Sequence, residues 1–266
     1  MSISSTLVDR AEIRFREPAG ALGPFVGCFW IVTADRDATI RVVPDGSTSI
    51  SIQLDHGHPP DWRLRGPLLR PDERRFQAPT TLVGIRLRPG VAVLLTGAPA
   101  HTMLDRHVRL RSLAAFQDLV AADLPAVTPE RCIEVLEAFL LRRLEHAQLP
   151  AAVASALDAI ARAHGCLNVD EIAARSHVSA RHLNRLMRHW IGYGAKRYAS
   201  IVRFQATLHE MERTPALAPA ALASDNGFFD QSHLTLDLTR FAGTTPGRLA
   251  AGGVADFSKT RCDDLP

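Results

Sequence analysis

The sequence predicts an α+β chain: a β-rich domain over residues 1–148, an all-α domain over 151–250 in which two helix-turn-helix motifs are joined by a spacer helix, and a mobile tail over 251–266. Three observations carry this reading. Short β-branched and aromatic runs, punctuated by Gly, Pro and Asp, fill the stretch from Pro24 to Thr96. Helical spacing replaces them beyond Pro99. Within the helical part, the layout near residue 170 returns about fifty residues later.

Taken in order, FVGCFWIVTA, ATIRVVP, STSISIQL, WRLRGPLL and TTLVGIRL are the strand candidates. In STSISIQL, Ile50, Ile52 and Leu54 alternate with Ser49, Ser51 and Gln53, the period of a sheet with one wet face. Pro44-Asp45-Gly46 and Arg88-Pro89-Gly90 read as turns. Helices are predicted over 110–124 and 129–144. The second groups Ile133, Leu136, Phe139, Leu140 and Leu144 opposite Glu137, Arg142 and Arg143. Thr128 is its N-cap, with Pro129 in the first turn. This helix is a dimer seam or packs on its own domain. Gln148-Leu149-Pro150 ends the pattern and marks a domain boundary. Seven helices follow, broken at Gly165, Ser176, Gly192, Thr214-Pro215, Asn226-Gly227 and Gly243. Beyond Ala251 the apolar content falls, as in a mobile tail.

A length of 266 residues suits two domains. A hydrophobic content of 46% with 22% charged residues argues against wholesale disorder. The formal net charge of +3 is too small to name a partner, so the distribution of arginines matters more than their sum. Cys28, Cys132, Cys166 and Cys262 lack the close spacing of a zinc or redox site and read as reduced thiols. The amino terminus has no apolar core of a signal peptide, and no run approaches the ~18 apolar residues of a membrane span, so a cytoplasmic protein with no membrane partner is expected. There is no P-loop, no G-x-G-x-x-G opening a helix, no G-x-S-x-G elbow and no cysteine in an alkyl-transfer motif, so neither a cofactor nor an enzymatic reaction is implied.

In VDEIAARSHVSARHLNRLMRHWIG, residues 169–192, Ile172 and Ala173 face inward from one helix and the turn runs through Ser176, His177 and Val178. Ser179 caps a second helix with Leu183, Leu186 and Trp190 as core positions. The outer face of that helix carries Arg181, His182, Asn184, Arg185 and Arg188. Apolar residues that fix a helix while long donors project from its exposed half are what a major-groove reader needs. Downstream, Leu222 and Ala223 repeat Ile172 and Ala173, Asp230 stands as a cap, Leu234 and Leu238 repeat the buried face, and Gln231, Ser232 and His233 are exposed. A spacer helix over 196–211 would span ~24 Å at 1.5 Å per residue. Two readers ~34 Å apart could enter successive major grooves of double-stranded DNA.

Through Glu171-Ile172-Ala173, Val178-Ser179, Arg181, Leu183, Arg185, Gly192, Lys196, Tyr198 and Arg203, and then Ala223, Gly227-Phe228, Asp230-Gln231-Ser232-His233, Arg240, Gly243 and Thr245-Pro246, residues 155–249 resemble the AraC/XylS family of transcriptional regulators. The resemblance implies a seven-helix DNA-binding domain with base-edge contacts from Arg181, Asn184 and Arg185 and from Gln231, Ser232 and Thr235. It also implies an amino-terminal domain that binds a small effector or forms a homodimer, and RNA polymerase as a partner. Two departures stand out. Gly194-Ala195 replaces the family's Ser-Pro before the spacer helix, and Leu236 and Thr239 occupy places where the family commonly has Arg and Lys or Arg.

The charge is uneven. From Ser179 to Arg203 lie Arg181, Arg185, Arg188, Lys196, Arg197 and Arg203 with no acid; from Pro215 to Arg240 lies one cation, Arg240, against Asp225, Asp230 and Asp237. Because phosphate neutralisation supplies most non-specific affinity, the first unit is predicted to anchor and the second to read at short range.

The amino-terminal part, through FW at 29–30, VVPDGSTSI and GIRLRPGVAVLLTG, is similar to the β-rich, at most cupin-like, domain of an AraC-like subgroup, a resemblance that implies no ligand. Candidate effector-pocket residues are Trp30, Arg41, Asp45, Gln53, Trp62 and Arg86. The alternative reading is a metal-binding cupin-like enzyme or metal sensor using His56, His58 and Asp61, a set that suits iron, manganese or zinc. It has no clear third histidine, and its carboxylate follows the second His too closely for the cupin pattern.

Overall fold

The structure is a computed structural model that describes residues 4–8, 11–18, 20–54, 61–121, 128–214 and 219–250. The chain divides into two units. One comprises Met1–Ile40, Ser47–Pro67 and Glu73–Leu149, and the other Arg41–Gly46, Leu68–Asp72 and Pro150–Pro266.

Among the described residues nine strands form in chain order: β1 Ser4–Val8, β2 Ala11–Arg16, β3 Val26–Ala34, β4 Ala38–Val42, β5 Thr48–Leu54, β6 Asp61–Arg65, β7 Asp72–Phe76, β8 Thr80–Leu87 and β9 His107–Arg109. Seven make a sheet in the order β1-β2-β3-β8-β5-β6-β9, and β4 pairs with β7. Directly opposite residues share a face, so the register sorts the side chains. Arg14, Ile31, Val83, Ile52 and Trp62 form one cross-strand row. Its neighbour, Phe15, Trp30, Gly84, Ser51 and Arg63, points the other way.

Helix α3, Pro129–Leu144, shares a core with the Ile31 face: Cys132, Ile133, Leu136, Phe139, Leu140 and Leu144 are buried with Phe29, Ile31, Ile50, Ile52, Trp62, Leu64 and Ile85. Thr128 caps it, accepting from the Arg131 amide, and Arg16 of β2 pairs with Glu137. The predicted apolar face is therefore consumed within this unit and is not a free dimer seam. Burial and the neighbouring Glu130 push the Cys132 thiol up to about 11, so it stays a neutral core group. On the opposite face, a Cβ at Gly84 would lie 2.2 Å from Trp30 Cζ2, so only glycine lets the indole lie there.

Four local expectations need correction. Residues 110–120 do not form one helix but two 3-10 turns, Leu110–Ser112 and Ala114–Phe116, followed by the short α2, Gln117–Val120; the extended Leu113 (φ −111°, ψ 115°) interrupts them, and residues 122–124 of that prediction lie outside the described residues. WRLRGPLL is strand only as far as Arg65. β7, DERRF, is too charged to announce itself by hydropathy. The apolar run VAVLLT is helix α1, Val91–Thr96, set between left-handed Gly90 and Gly97.

Among the described residues the second unit contains seven helices, as the punctuation predicts: α4 Ala151–Arg162, α5 Val169–Arg175, α6 Ala180–Trp190, α7 Ala195–Arg213, α8 Pro219–Asp225, α9 Gln231–Ala242 and α10 Pro246–Ala250. Val153, Ile160, Ile172, Leu183, Met187, Ile201, Phe204, Leu222, Leu234, Leu238 and Phe241 are among its buried apolar residues, with Phe204 and Phe241 ring centroids 5.3 Å apart. The unit also includes two segments from earlier in the chain. The Pro44 carbonyl accepts from Gln205 Nε2 at 2.6 Å, and Pro71 lies under Gly243. The tail from 251 onward, with Cys262, lies outside the described residues.

Candidate nucleic-acid interface

The first helix-turn-helix is built from local capping. Asn168 and Glu171 form a reciprocal capping box at α5. The turn passes through His177 at φ 54°, a left-handed position, and Ser179 Oγ accepts from the His182 amide at 3.2 Å to start α6. The buried stripe of α6 is Leu183 and Met187, continued by Ile191; Leu186 and Trp190, predicted as core, are only half-buried. A stride of four therefore sets the stripe, and it turns Arg181, Arg185 and Arg188 fully outward. No carboxylate pairs with these three among the described residues. His182 Nδ1 lies 3.2 Å from Arg185 Nη2.

Asn184 is engaged at both ends of its amide. Its Nδ2 donates to the Ala180 carbonyl at 3.1 Å and its Oδ1 accepts from the Ala195 amide at 3.1 Å. This side chain supplies the cap at the start of α7 that a Ser-Pro pair would otherwise provide. A Cβ on Gly194 would sit 2.7 Å from Asn184 Oδ1, so the glycine makes room for the asparagine. The Gly194-Ala195 departure noted in the sequence and Asn184 thus form one junction. Lys196 is exposed at the start of α7, whereas Arg197 is half-buried with its guanidinium 5.8 Å from the Phe241 ring centroid. Burial, and then neighbouring Arg240, lower its pKa.

The second helix-turn-helix has the same frame. Gly227, at φ 67°, takes the left-handed place of His177, one further residue, Phe229, is inserted, and Asp230 Oδ1 accepts from the His233 amide at 2.7 Å to cap α9. Counting from the caps, Leu234 and Leu238 fall where Leu183 and Met187 do, so Ser232, Leu236 and Thr239 occupy the outward places of Arg181, Arg185 and Arg188. Gln231 and Arg240 are also exposed, and His233 and Thr235 are half-buried. Thr235 Oγ1 donates back to the Gln231 carbonyl, and His233 Nδ1 accepts from the Phe229 amide at 3.4 Å.

Asp237 is not a surface acid. It is 8% exposed and paired at 3.5 Å with Arg203 Nη2, whose guanidinium also donates to the Gly227 carbonyl and stacks 4.6 Å from the Phe228 ring centroid. The pair removes one cation from the first tally and one acid from the second. Exposed charge is then Arg181, Arg185, Arg188 and Lys196 on the first side, against Arg240 with Asp225 and Asp230 on the second. Of the large apolar side chains exposed among the described residues, Leu141, Phe229 and Leu236, two lie on this second motif. Their exposure could not be read from hydropathy, which treats an outward Leu and a core Leu alike.

In the amino-terminal unit the pocket candidates separate. Trp62 lies in the α3-side core, while Trp30, Gln53 and Arg86 share the other face of the sheet by register. Arg41 and Asp45 belong to the other unit. A cleft of about 560 Å³ is lined by Asp37, Thr39, Gln53, Arg74, Phe76 and Gln77 among others, so Gln53 is the one candidate that reaches it. The remaining lining comes mainly from β4 and from β7, the strand that hydropathy missed. Asp61 is surrounded by Arg63, Arg109 and Arg111 at 3.0, 3.5 and 3.6 Å, a carboxylate already neutralised by cations. His56 and His58 lie outside the described residues, and no group of three or more metal-ligating side chains occurs among those described. No helix of the described residues is long and apolar enough to cross a membrane.

Two family models match. Residues 14–109 match a domain of unknown function, DUF6597, and residues 172–252 match a helix-turn-helix domain of the AraC type. No curated protein matches the chain. Among solved structures, ToxT from Vibrio cholerae aligns with a TM-score of 0.44 at 9% identity, over 81% of this chain and 97% of that one. The same protein bound to an unsaturated fatty acid gives 0.44 at 9%, over 83% and 93%, and ToxT bound to (E)-4-(8-methylnaphthalen-1-yl)but-3-enoic acid gives 0.45 at 9%, over 83% and 97%. With its capped and repeated helix-turn-helix frame and the match over 172–252, the chain carries an AraC-type DNA-binding helix-turn-helix domain in its carboxy-terminal part, preceded by a DUF6597 domain.

Proposed function

We propose that this regulator grips double-stranded DNA chiefly through α6, with α9 as a second, weakly charged reader, and that occupancy of the amino-terminal unit controls it. The observation that carries the proposal is the exposed Arg181-Arg185-Arg188 face of α6, free of acidic partners among the described residues and fixed by the Ser179 cap and the Leu183-Met187 stripe. Guanidinium groups projecting from a rigid helix supply both phosphate neutralisation and bidentate contacts to guanine edges. Lys196 adds a backbone contact; Arg197 and Asn184 serve chiefly inside the domain, where Phe241 and the Ala195 amide engage them. On α9, Gln231, Ser232 and Arg240 are the polar contacts, with His233 and Thr235 behind them.

A small effector in the cleft at Gln53 is the control element supported best, because the cleft combines amide and guanidinium donors with room for a compact polar molecule. Its binding would shift the population of DNA-competent chains. Homodimerisation, contact with RNA polymerase and a cytoplasmic setting belong to the same reading. The test is selection of bound duplexes from a random pool with the full chain, followed by titration of the selected duplex. Enrichment of one motif supports the proposal; failure to enrich any duplex at low salt contradicts it.

A further inference from the structure

Leu236 poses a question that the charge ledger leaves open. It is 67% exposed on the outer face of α9, at the same distance from its N-cap as Arg185 from Ser179. It therefore projects from the place where the first motif offers a guanidinium. Its outward neighbours one turn before and after are Ser232, Thr239 and Arg240, and Asp237 beside it is turned inward and held by Arg203. The face is neither acidic nor cationic at its centre. It is a small apolar surface framed by the Ser232 and Thr239 hydroxyls, the Thr239 methyl and, at one end, the Arg240 side chain.

Among the groups on a major-groove edge, one matches such a surface. The thymine C5-methyl is the groove's apolar feature, and Ala, Thr and larger apolar side chains recognise it by contact. We propose that α9 reads sequence by packing Leu236 against thymine 5-methyl groups, with the Thr239 methyl alongside, so that the second motif specifies A·T pairs by apolar contact while the first binds through arginine. This rests on the reading of α6 and α9 as DNA-facing helices. It assigns Leu236 a positive role in specificity, where charge alone counts it only as a missing arginine. A leucine buried against one methyl group gains roughly the transfer free energy of a methylene, which corresponds to about a fourfold change in affinity.

The test uses the full chain and the duplex it selects from a random pool. Each thymine of that duplex is replaced in turn by deoxyuridine, which removes the methyl and leaves base pairing intact, and affinities are measured for the wild type and for Leu236→Ala. The expected result is one or two thymines at which deoxyuridine weakens wild-type binding about fourfold and leaves Leu236→Ala unaffected, the two losses being non-additive there and absent elsewhere. Leu236→Ala should melt like the wild type, since the side chain it removes is exposed. If every deoxyuridine substitution is silent, or if Leu236→Ala loses equally on thymine and deoxyuridine duplexes, the proposal is overturned while DNA binding stands. Leu236→Ala binding DNA like the wild type would also overturn it. Selection of no duplex at all would instead remove the reading of the two helices on which it rests.

Discussion

The two helix-turn-helix motifs share a frame and differ in what they show to solvent. Both begin with a left-handed residue in the turn, His177 or Gly227, both cap the outer helix with an oxygen, Ser179 or Asp230, and both bury aliphatic residues four apart. The outward positions then diverge completely: Arg181, Arg185 and Arg188 on one helix, Ser232, Leu236 and Thr239 on the other. The buried positions are constrained by one another because cores are close-packed, whereas the outward positions are constrained only by what they touch. On the proposed reading of both helices as DNA-facing, two surfaces this different on one scaffold would make two kinds of contact with a duplex.

The largest effect expected on this comparison comes from the pair hidden behind the second motif. Arg203→Met leaves the Asp237 carboxylate buried without its cation and should cost about 3 kcal/mol of stability, read by chemical denaturation. A loss under about 1 kcal/mol would mean that water or His233, 3.7 Å away, already satisfies Asp237. Next, Arg185→Ala should cost ~1–3 kcal/mol of specific binding if it contacts a guanine edge, and Gln231→Ala should cost less. Equal losses at fixed salt would erase the division between anchor and reader. A smaller change is expected from Gly194→Ala, whose methyl would push Asn184 off the Ala195 amide and forfeit roughly 1 kcal/mol of stability. Unchanged melting would show that the Asn184 cap is dispensable. The smallest in free energy, and the most diagnostic, is Leu236→Arg. It should steepen the salt dependence of DNA binding by about one ion while abolishing any thymine-methyl preference.

Much of this frame could be read from the sequence, because caps, glycines and aliphatic spacing are local signals. Thr128, Ser179 and Asp230 mark the starts of α3, α6 and α9, and the breaks at Gly165, Gly192 and Gly243 separate the helices as predicted. What could not be read depends on contacts between residues distant in the chain. Arg203 and Asp237 look like opposing surface charges until 34 residues of chain bring them together. Asn184 looks like a base reader until Ala195, 11 residues on, accepts its capping role. Trp30 and Trp62 look equivalent, and only strand register assigns them to opposite faces. Charged β7 lacks the alternation that announces a strand, so most of the cleft lining it provides was missed as well.

The central claim, that α6 binds through charge and α9 through shape and apolar contact, is tested most directly by titrating the selected duplex from ~50 to ~200 mM salt with two triple variants of the full chain. Arg181→Ala/Arg185→Ala/Arg188→Ala should flatten the salt dependence by up to about three ions, whereas Ser232→Ala/Leu236→Ala/Thr239→Ala should weaken binding and leave the slope unchanged. Equal slopes in the two variants, or a slope change confined to the second, would contradict the account.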